Sequence, residues 1–232
     1  MTRTIDMATP DALRSRRSKF EARRLEILKA AKGVFLDHGY EMGTMSEVAR
    51  RLGGSKGTLY RYFESKDALF AAVVKEAAAS RTQGIIGGFF ESDDLASDLV
   101  QFGRAVLTSA MSGEHIALYR ALIAEAGKSD LGKLYFACEL GVWGALARRL
   151  AKAMEQGLLR RARPWAAATH FRVLCQADLH SMRLEGMLAT ISPAEVATAV
   201  DDAVEVFLHA YATRRYRSVK ATQGTRLPAT RR

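Results

Sequence analysis

The chain has 232 residues, 48% of them hydrophobic, and a formal net charge of +10 at pH 7. This length is sufficient for two helical domains, and no run of about 18 apolar residues predicts a membrane span. The first residues lack the apolar stretch of a secretory signal, so the sequence predicts a cytoplasmic protein with no membrane partner. Cys138 and Cys175 lie in helical patterns without metal-binding spacing, which predicts core side chains and no bound metal.

Charge is distributed unevenly along the chain. Residues 1–81 carry 16 lysines and arginines against 10 acidic residues, residues 82–213 carry 12 against 15, and residues 214–232 carry 7 against none. This pattern indicates that a polyanion binds to the ends of the chain rather than to its middle. Composition and periodicity together predict four segments: a flexible basic arm (1–18), a first domain (19–83), a second domain (84–213) and a basic disordered tail (214–232).

The first domain begins with a predicted helix over 19–38, which has apolar residues at helical spacing and Gly39 at its end. Thr44 then follows as the cap of a short helix. Glu47 stands three residues later, which is the spacing of a capping box. These residues predict the start of a second helix of about two turns.

A glycine turn separates this second helix from a third one. Gly53 and Gly54 stop the helix, because glycine tolerates the left-handed backbone of a tight turn. Ser55 is positioned to cap the next helix, and Ser65 to cap a fourth. Two short helices joined by such a turn form the helix-turn-helix arrangement, whose second helix enters the major groove of DNA.

The segment from Ile27 to Phe70 carries a set of residues at fixed spacing without gaps: Ile27, Leu28, Ala30, Ala31, Phe35, Gly39, Tyr40, Thr44, Val48, Ala49, Gly53, Ser55, Lys56, Gly57, Thr58, Leu59, Tyr60, Tyr62, Phe63, Ser65, Lys66, Leu69 and Phe70. With these residues the segment resembles the TetR/AcrR family of transcriptional regulators. One departure is Gly54, where the family usually has a small apolar residue.

The resemblance implies a set of residues that line double-stranded DNA. Thr58 is suited to contact a base edge or a thymine methyl group, and Lys66 to contact a phosphate at a helix start. Arg50, Arg51 and Arg61 either add phosphate contacts or form a solvated face. The positions that match the DNA-lining positions of the family are Thr44, Ser55, Lys56, Gly57, Thr58, Tyr60, Tyr62 and Lys66.

The second domain is also predicted to be helical, since no strand-like alternation of any length occurs. The segment from Leu118 to Leu159 is similar to ligand-binding domains of the same family. The predicted fold class is therefore all-α, with about nine helices in a DNA-binding domain followed by a ligand-binding and dimerisation domain. The predicted helices of the second domain begin after Ser92 and then cover 114–126, 130–156, 164–189 and the stretch from Pro193 to Tyr211.

Two sets of apolar residues in this domain have candidate roles. The first set is suited to line a pocket for a small-molecule effector, or else to pack in the core: Phe102, Met111, Tyr119, Phe136, Trp143 and Phe171. The second set forms a helical stripe predicted as the homodimer interface: Val196, Val200, Val204, Phe207 and Tyr211. If this prediction holds, Phe207→Asp gives a folded monomer or an aggregate.

The resemblance implies a homodimeric repressor that a small apolar ligand releases from a palindromic operator, with no cofactor and no enzyme activity. Two alternatives remain open. A protein that coats DNA without sequence preference would bind through charge alone. A hydrolase would use Ser55, because Gly53-Gly54-Ser55-Lys56-Gly57 matches the G-x-S-x-G pattern, which requires a strand before the serine.

Overall fold

Eleven helices, and no strand, make up the parts of the chain that the structure describes. The structure is a computed structural model, and it describes residues 10–86, 94–125 and 131–222. The predicted all-α fold is confirmed for these residues, with more helices than the sequence indicates. The helices are α1 (Pro10–Met42), α2 (Met45–Leu52), α3 (Lys56–Tyr60), α4 (Lys66–Ile86), α5 (Leu95–Ala110), α6 (Gly113–Ala124), α7 (Leu131–Glu155), α8 (Pro164–Gln176), α9 (Leu179–Glu185), α10 (Pro193–Tyr211) and α11 (Arg214–Thr222).

The chain divides into two compact units, unit 1 (Met1–Ala77) and unit 2 (Ala78–Arg232). The division lies within α4, whereas the sequence predicted a boundary at the glycines that follow residue 83. Helix α4 continues across the division between Ala77 and Ala78. Val73, Val74 and Ala78 are all buried, so the apolar side of the helix is not interrupted there.

Unit 1 is built around buried aliphatic and aromatic side chains of α1 to α4. Ile27 of α1, Leu59 of α3 and Phe70 of α4 have no exposed surface. Phe70 lies edge-on to Phe35, with 5.0 Å between ring centroids, and 4.8 Å from the ring of Tyr40. Full burial of such side chains contributes about 1.5–3 kcal/mol each, so these contacts fix the positions of the short helices.

In unit 2, helices α5, α7, α8 and α10 surround one hydrophobic core. Leu99 and Phe102 of α5, Leu146 of α7, Phe171 of α8 and Phe207 of α10 are completely buried in it. Helix α6 packs against α5, α7 and α9. The four-helix arrangement follows from the apolar stripe that each of these helices carries on one side.

A buried ion pair also joins two helices of this core. The Nε of Arg149 in α7 donates to Asp98 Oδ2 in α5 at 2.8 Å, and the two side chains are only 6% and 4% exposed. A charge removed from water is tolerated only where a partner and hydrogen bonds compensate its desolvation. The pair therefore fixes the register of α5 against α7.

Three predicted boundaries differ from the structure. Helix α1 includes residues 10–18 of the predicted arm, while residues 1–9 of that arm lie outside the described residues. The single helix predicted over 164–189 is broken at Ala177, whose φ is +37°, so α8 and α9 are separate. The first part of the predicted disordered tail instead forms α11, which is held to the core by Tyr216, 4% exposed, while residues 223–232 lie outside the described residues.

Candidate nucleic-acid interface

The turn between α2 and α3 has the geometry that its glycines predict. Gly53 adopts the left-handed conformation, with φ +67° and ψ +30°, and its N–H group is bonded to the carbonyl end of α2. Ser55 then caps α3, because its Oγ accepts a hydrogen bond from the Thr58 N–H at 3.2 Å. Leu59, fully buried, fixes the other side of this short helix. The Ser55 cap and the buried Leu59 together fix the position of α3, and its outer face makes none of these contacts.

The outer face of α3 is open to solvent. Lys56, Gly57 and Tyr60 are exposed, and a Cβ added at Gly57 would meet only the Ser55 Oγ, at 3.7 Å. The Thr58 Oγ1 lies 3.1 Å from the Ser55 Oγ, so its methyl group and second lone pair remain for another contact. An exposed, rigid helix of small and cationic residues is able to approach the floor of a DNA groove.

The structure brings most of the predicted DNA-lining residues together around this turn. Thr44 caps α2 through a hydrogen bond from the Glu47 N–H to its Oγ1 at 3.2 Å. The ring of Tyr62 stacks on Phe20 of α1, with 4.5 Å between centroids and 21° between planes. Of the eight residues, Thr44, Ser55, Lys56, Gly57 and Tyr60 are exposed, while Thr58, Tyr62 and Lys66 are half-buried.

Helix α1 contributes residues to this face that the sequence reading missed. A Cβ at Gly54 would lie 3.6 Å from the Arg23 Nη2, and the Arg24 guanidinium lies over the Phe63 ring at 5.4 Å. Phe20, although 44% exposed, supports Tyr62. The adjacent arginines in a predicted helix were the available signal, but their proximity to the turn depends on how α1 packs.

Two of the arginines predicted either to contact phosphates or to form a solvated face have acidic partners in the structure. Arg50 donates twice to Glu47, at 2.9 and 2.5 Å, and its hydrogen bond lowers the pKa of that carboxyl group. Arg51 pairs with Asp37 at 2.5 Å and lies across Gly33, where an added Cβ would collide with its Nη1. Arg61 is exposed and has no ion pair within the described residues.

Lys66 has a different position from the one its sequence context suggested. Its Nζ donates to the backbone carbonyls of Tyr40 at 2.9 Å and Glu41 at 3.2 Å, and it lies 4.2 Å from the centroid of the Tyr40 ring. The Tyr40 hydroxyl in turn donates to Asp67. Lys66 therefore joins the start of α4 to the end of α1, and only its third proton remains for a phosphate.

We expect Lys66→Met to lower the free energy of unfolding by about 1.5–3 kcal/mol, because hydrogen bonds made by charged groups contribute on this scale. Urea denaturation followed by circular dichroism measures it. Lys56→Met is the matched control, since Lys56 is exposed and has no described partner. Equal stability of Lys66→Met and the wild type would contradict a clamping role. If Lys66→Met also lowers the slope of log K for DNA binding against log salt concentration by about 1, the third proton of Lys66 contacts a phosphate.

The G-x-S-x-G match does not have the geometry of a nucleophile elbow. Ser55 follows α2 and a glycine turn, whereas the elbow requires a strand before the serine. Its Oγ is engaged with the N–H and the hydroxyl of Thr58. The arrangement is that of a helix cap, and it explains Ser55 without catalysis.

The pocket candidates occupy different places in unit 2. Phe102, Met111, Trp143 and Phe171 are buried in its core, where Phe102 and Trp143 meet edge-on with 5.6 Å between centroids. Tyr119 is half-buried in α6, outside this cluster. The side chain of Phe136 lies outside the described residues, as does that of Cys138. Four of the six pocket candidates therefore lie in the same hydrophobic core of unit 2.

Tyr119 belongs to a cluster with two histidines. Its ring centroid lies 5.9 Å from that of His115 and 5.4 Å from that of His180. Burial, followed by the nearby charge of Arg81 and by His180, lowers the pKa of His115 to about 3. The pKa of His180 is also lowered, mainly by burial and then by Arg172. Both imidazoles are therefore neutral near pH 7 and able to donate or accept hydrogen bonds.

The predicted dimer-interface residues are wrong as surface contacts, because they lie inside the chain's own core. Val196, Val200, Val204, Phe207 and Tyr211 are between 0 and 6% exposed, and they pack α10 against α5 and α8. An apolar stripe identifies the buried side of a helix, but it does not identify the neighbour that covers it.

Exposed apolar side chains lie instead on other faces of α8 and α10. Trp165 and Val173 of α8 are 41% and 58% exposed, and Val206 of α10 is 52% exposed. Trp165 and Val173 are eight residues apart, which places them on one side of the helix. We call these three residues, which lie on two helices that pack against each other, the apolar face of α8 and α10.

Metal-binding clusters and membrane-spanning helices are both absent from the part of the chain that the structure describes. No three histidine, cysteine or acidic side chains there are grouped so as to hold a metal ion. No helix there is long and apolar enough to cross a membrane. Cys175 is buried among core side chains, and burial raises the pKa of its thiol to about 12.

Comparison with known proteins adds matches over both units. The family model described as "Bacterial regulatory proteins, tetR family" matches residues 27–73. A second family model, described as "AefR-like transcriptional repressor, C-terminal domain", matches residues 97–213, which is about half of the chain. The HTH-type transcriptional repressor Rv1474c of Mycobacterium tuberculosis is 37% identical over 71 residues, which are 28% of this chain and 38% of that relative. The chain spans about a third of the length of the curated relatives that it matches.

Solved structures match over a larger share of the chain. A putative TetR-family transcriptional regulator from Mesorhizobium loti MAFF303099 is similar with a TM-score of 0.77 and 27% identity, covering 83% of this chain and 98% of that one. The flavonoid-responsive regulator FrrA is similar with a TM-score of 0.71 and 26% identity, covering 84% and 99%. The similarity therefore includes both the helix-turn-helix unit and the larger helical unit.

Proposed function

The chain belongs to the TetR family of transcriptional regulators, and from this premise we propose that it is a sequence-specific, DNA-binding repressor of cytoplasmic location. The observation that carries the proposal is the exposed face of α3. This helix carries Lys56, Gly57, Thr58 and Tyr60. Ser55 caps it, and the buried Leu59 holds it against the core of unit 1. A reading helix needs this combination of a fixed backbone and an open outer face.

Specific binding can be tested by competition at physiological salt. Duplexes enriched by the full chain from a random pool are labelled and then competed with random duplexes. A sequence-specific regulator prefers its own sites by a factor of about 10³ or more, because direct base contacts add to the phosphate contacts. A ratio near 1 would favour the alternative, a protein that coats DNA through charge alone.

We propose that the active form is a homodimer that recognises a palindrome. One α3 contacts only a few base pairs, whereas a two-fold dimer presents two of them to two half-sites. The surface we assign to the dimer is the apolar face of α8 and α10. Its three large apolar side chains, Trp165, Val173 and Val206, lie on two helices that pack against each other.

We further propose that a small, largely apolar molecule binds unit 2 and releases the protein from DNA. Support comes from the aromatic core around Phe102 and Trp143, and from the neighbour FrrA, whose name describes it as flavonoid-responsive. A planar aromatic ligand would stack on such rings, and the buried His180 Nε2, which has no hydrogen-bond partner among the described residues, would bind one of its hydroxyl groups. Flavonoids are therefore the first compounds to test.

Tryptophan fluorescence of a Trp165→Phe variant would follow binding at Trp143 with and without operator DNA. A 100-fold loss of DNA affinity corresponds to about 2.7 kcal/mol of coupling, and linkage requires that DNA weaken ligand binding by the same factor. A flavonoid that binds equally tightly in both conditions would not be the releasing ligand. If no compound among those that bind shows coupling, the release model is wrong.

A further inference from the structure

Two arginine-rich segments meet at one end of unit 2. The loop after α7 and the segment between α10 and α11 form an isolated antiparallel bridge between Leu159 and Ala212. The Arg160 N–H donates to the Tyr211 carbonyl at 2.8 Å, and the Thr213 N–H donates to the Leu158 carbonyl at 3.0 Å. These bonds hold the two segments side by side although they are far apart in sequence.

Side-chain contacts extend this junction. The Thr213 hydroxyl donates to the Gly157 carbonyl at 2.7 Å. Arg160 donates through Nε to the Ala210 carbonyl at 2.9 Å, and its guanidinium lies 4.2 Å from the centroid of the Tyr211 ring. Gly157 has φ +70°, and Arg215 lies 3.7 Å from the place that a Cβ would take there. Arg160 and Arg215, one from each segment, therefore both lie against the opposite segment.

The junction carries concentrated positive charge. No acidic residue occurs in 156–177 or in 206–222, although residues 82–213 as a whole carry more acidic than basic residues. No ion pair joins these arginines to a described acidic residue, and all of them are exposed to solvent. We call these residues the arginine patch: Arg160, Arg161, Arg163, Arg214, Arg215 and Arg217.

We propose that the arginine patch is a second DNA-binding surface, which contacts backbone phosphates of double-stranded DNA without reading sequence. Guanidinium groups bind phosphate oxygens in pairs, and like charges gathered without acidic partners repel each other until an anion neutralises them. The proposal rests on the proposed function, because it assumes that the chain acts on DNA. A DNA duplex fits better than a lipid surface, since Leu159, which precedes Arg160 in sequence, is buried and offers no apolar side chain to a bilayer.

The test uses the full chain, a random-sequence duplex and the dependence of affinity on salt. Each phosphate contact contributes about 0.9 to the slope of log K against log salt concentration. We expect Arg161→Gln with Arg163→Gln to lower this slope by about 2, and Arg214→Gln with Arg217→Gln to lower it by a similar amount. The lysine versions of both variants should retain the wild-type slope, because they keep the charge.

The matched control removes the same charge elsewhere in unit 2, with Arg104→Gln and Arg148→Gln. Arg104 is already paired with Asp201 at 2.9 Å, and Arg148 lies in α7, outside the patch. This control should change the slope by less than about 0.5. If the control lowers the slope as much as the patch variants do, the effect is one of net charge and the proposal is wrong.

Further outcomes are also decisive. An unchanged slope in both patch variants would overturn the proposal, and it would leave sequence-specific binding by unit 1 intact. A loss of binding to phosphatidylglycerol vesicles, with no change in DNA slope, would assign the patch to membranes and overturn it too. If the patch variants lower the slope but the wild type shows no sequence preference in the competition experiment, the arginine patch binds DNA and the proposed sequence-specific repressor is wrong. Each variant should have the same urea midpoint as the wild type, which excludes unfolding as the cause of a lowered slope.

Discussion

Phe207→Asp is expected to unfold unit 2 rather than to produce a folded monomer. Phe207 is fully buried in α10, edge-on to Phe171 at 5.4 Å and stacked on Tyr211 at 4.6 Å between ring centroids. Loss of a buried aromatic ring costs about 3–5 kcal/mol, and a carboxylate in its place adds a desolvation cost. This loss is comparable with the total stability of many domains, about 5–15 kcal/mol. Circular dichroism and urea denaturation measure it.

The neighbouring substitution Val206→Asp is the matched control. Val206 is 52% exposed and belongs to the apolar face of α8 and α10. The proposed dimer predicts a folded protein with half the wild-type mass in sedimentation, because each protomer would bury an unpaired carboxylate in the interface. A folded, dimeric Val206→Asp protein would contradict the proposed interface. A folded Phe207→Asp protein would contradict the packing of α10.

Asp98→Ala is expected to lower the free energy of unfolding by about 3–5 kcal/mol. The substitution leaves the guanidinium of Arg149 in the core without the carboxylate that lies 2.8 Å away. Removing one partner of a buried ion pair is more costly than replacing both with apolar groups. The double variant Asp98→Ala with Arg149→Met should therefore recover most of the lost stability. Urea denaturation of the two variants and the wild type measures this difference, and equal stability of Asp98→Ala and the wild type would contradict it.

The local structure of the helix-turn-helix segment could be predicted because its signals are local. Capping by Thr44 and Ser55 and the left-handed Gly53 depend on residues only a few positions apart. The role of Lys66 could not be predicted in this way. Its partners are carbonyls of residues 40 and 41 in α1, and their approach depends on how α4 packs against α1.

The features of unit 2 that the sequence did not indicate depend on tertiary contacts. The break at Ala177 has no glycine to mark it, because the residue there adopts φ +37° in spite of its side chain. The helix α11 forms in a basic segment because Tyr216 is buried against the core. The apolar stripe of α10 was recognised, but only the packing of α5 and α8 shows that this chain itself covers it.

The sequence of a symmetric DNA site is read, in our proposal, by α3. Binding-site selection from a random duplex pool, performed with the wild type and with Thr58→Ala, distinguishes base contacts from backbone contacts. We expect a two-fold symmetric motif for the wild type, and for Thr58→Ala a loss of preference at one symmetric pair of positions, worth about 1–3 kcal/mol per base pair. No enriched motif for the wild type, or a uniform loss of affinity at all positions in Thr58→Ala, would contradict it.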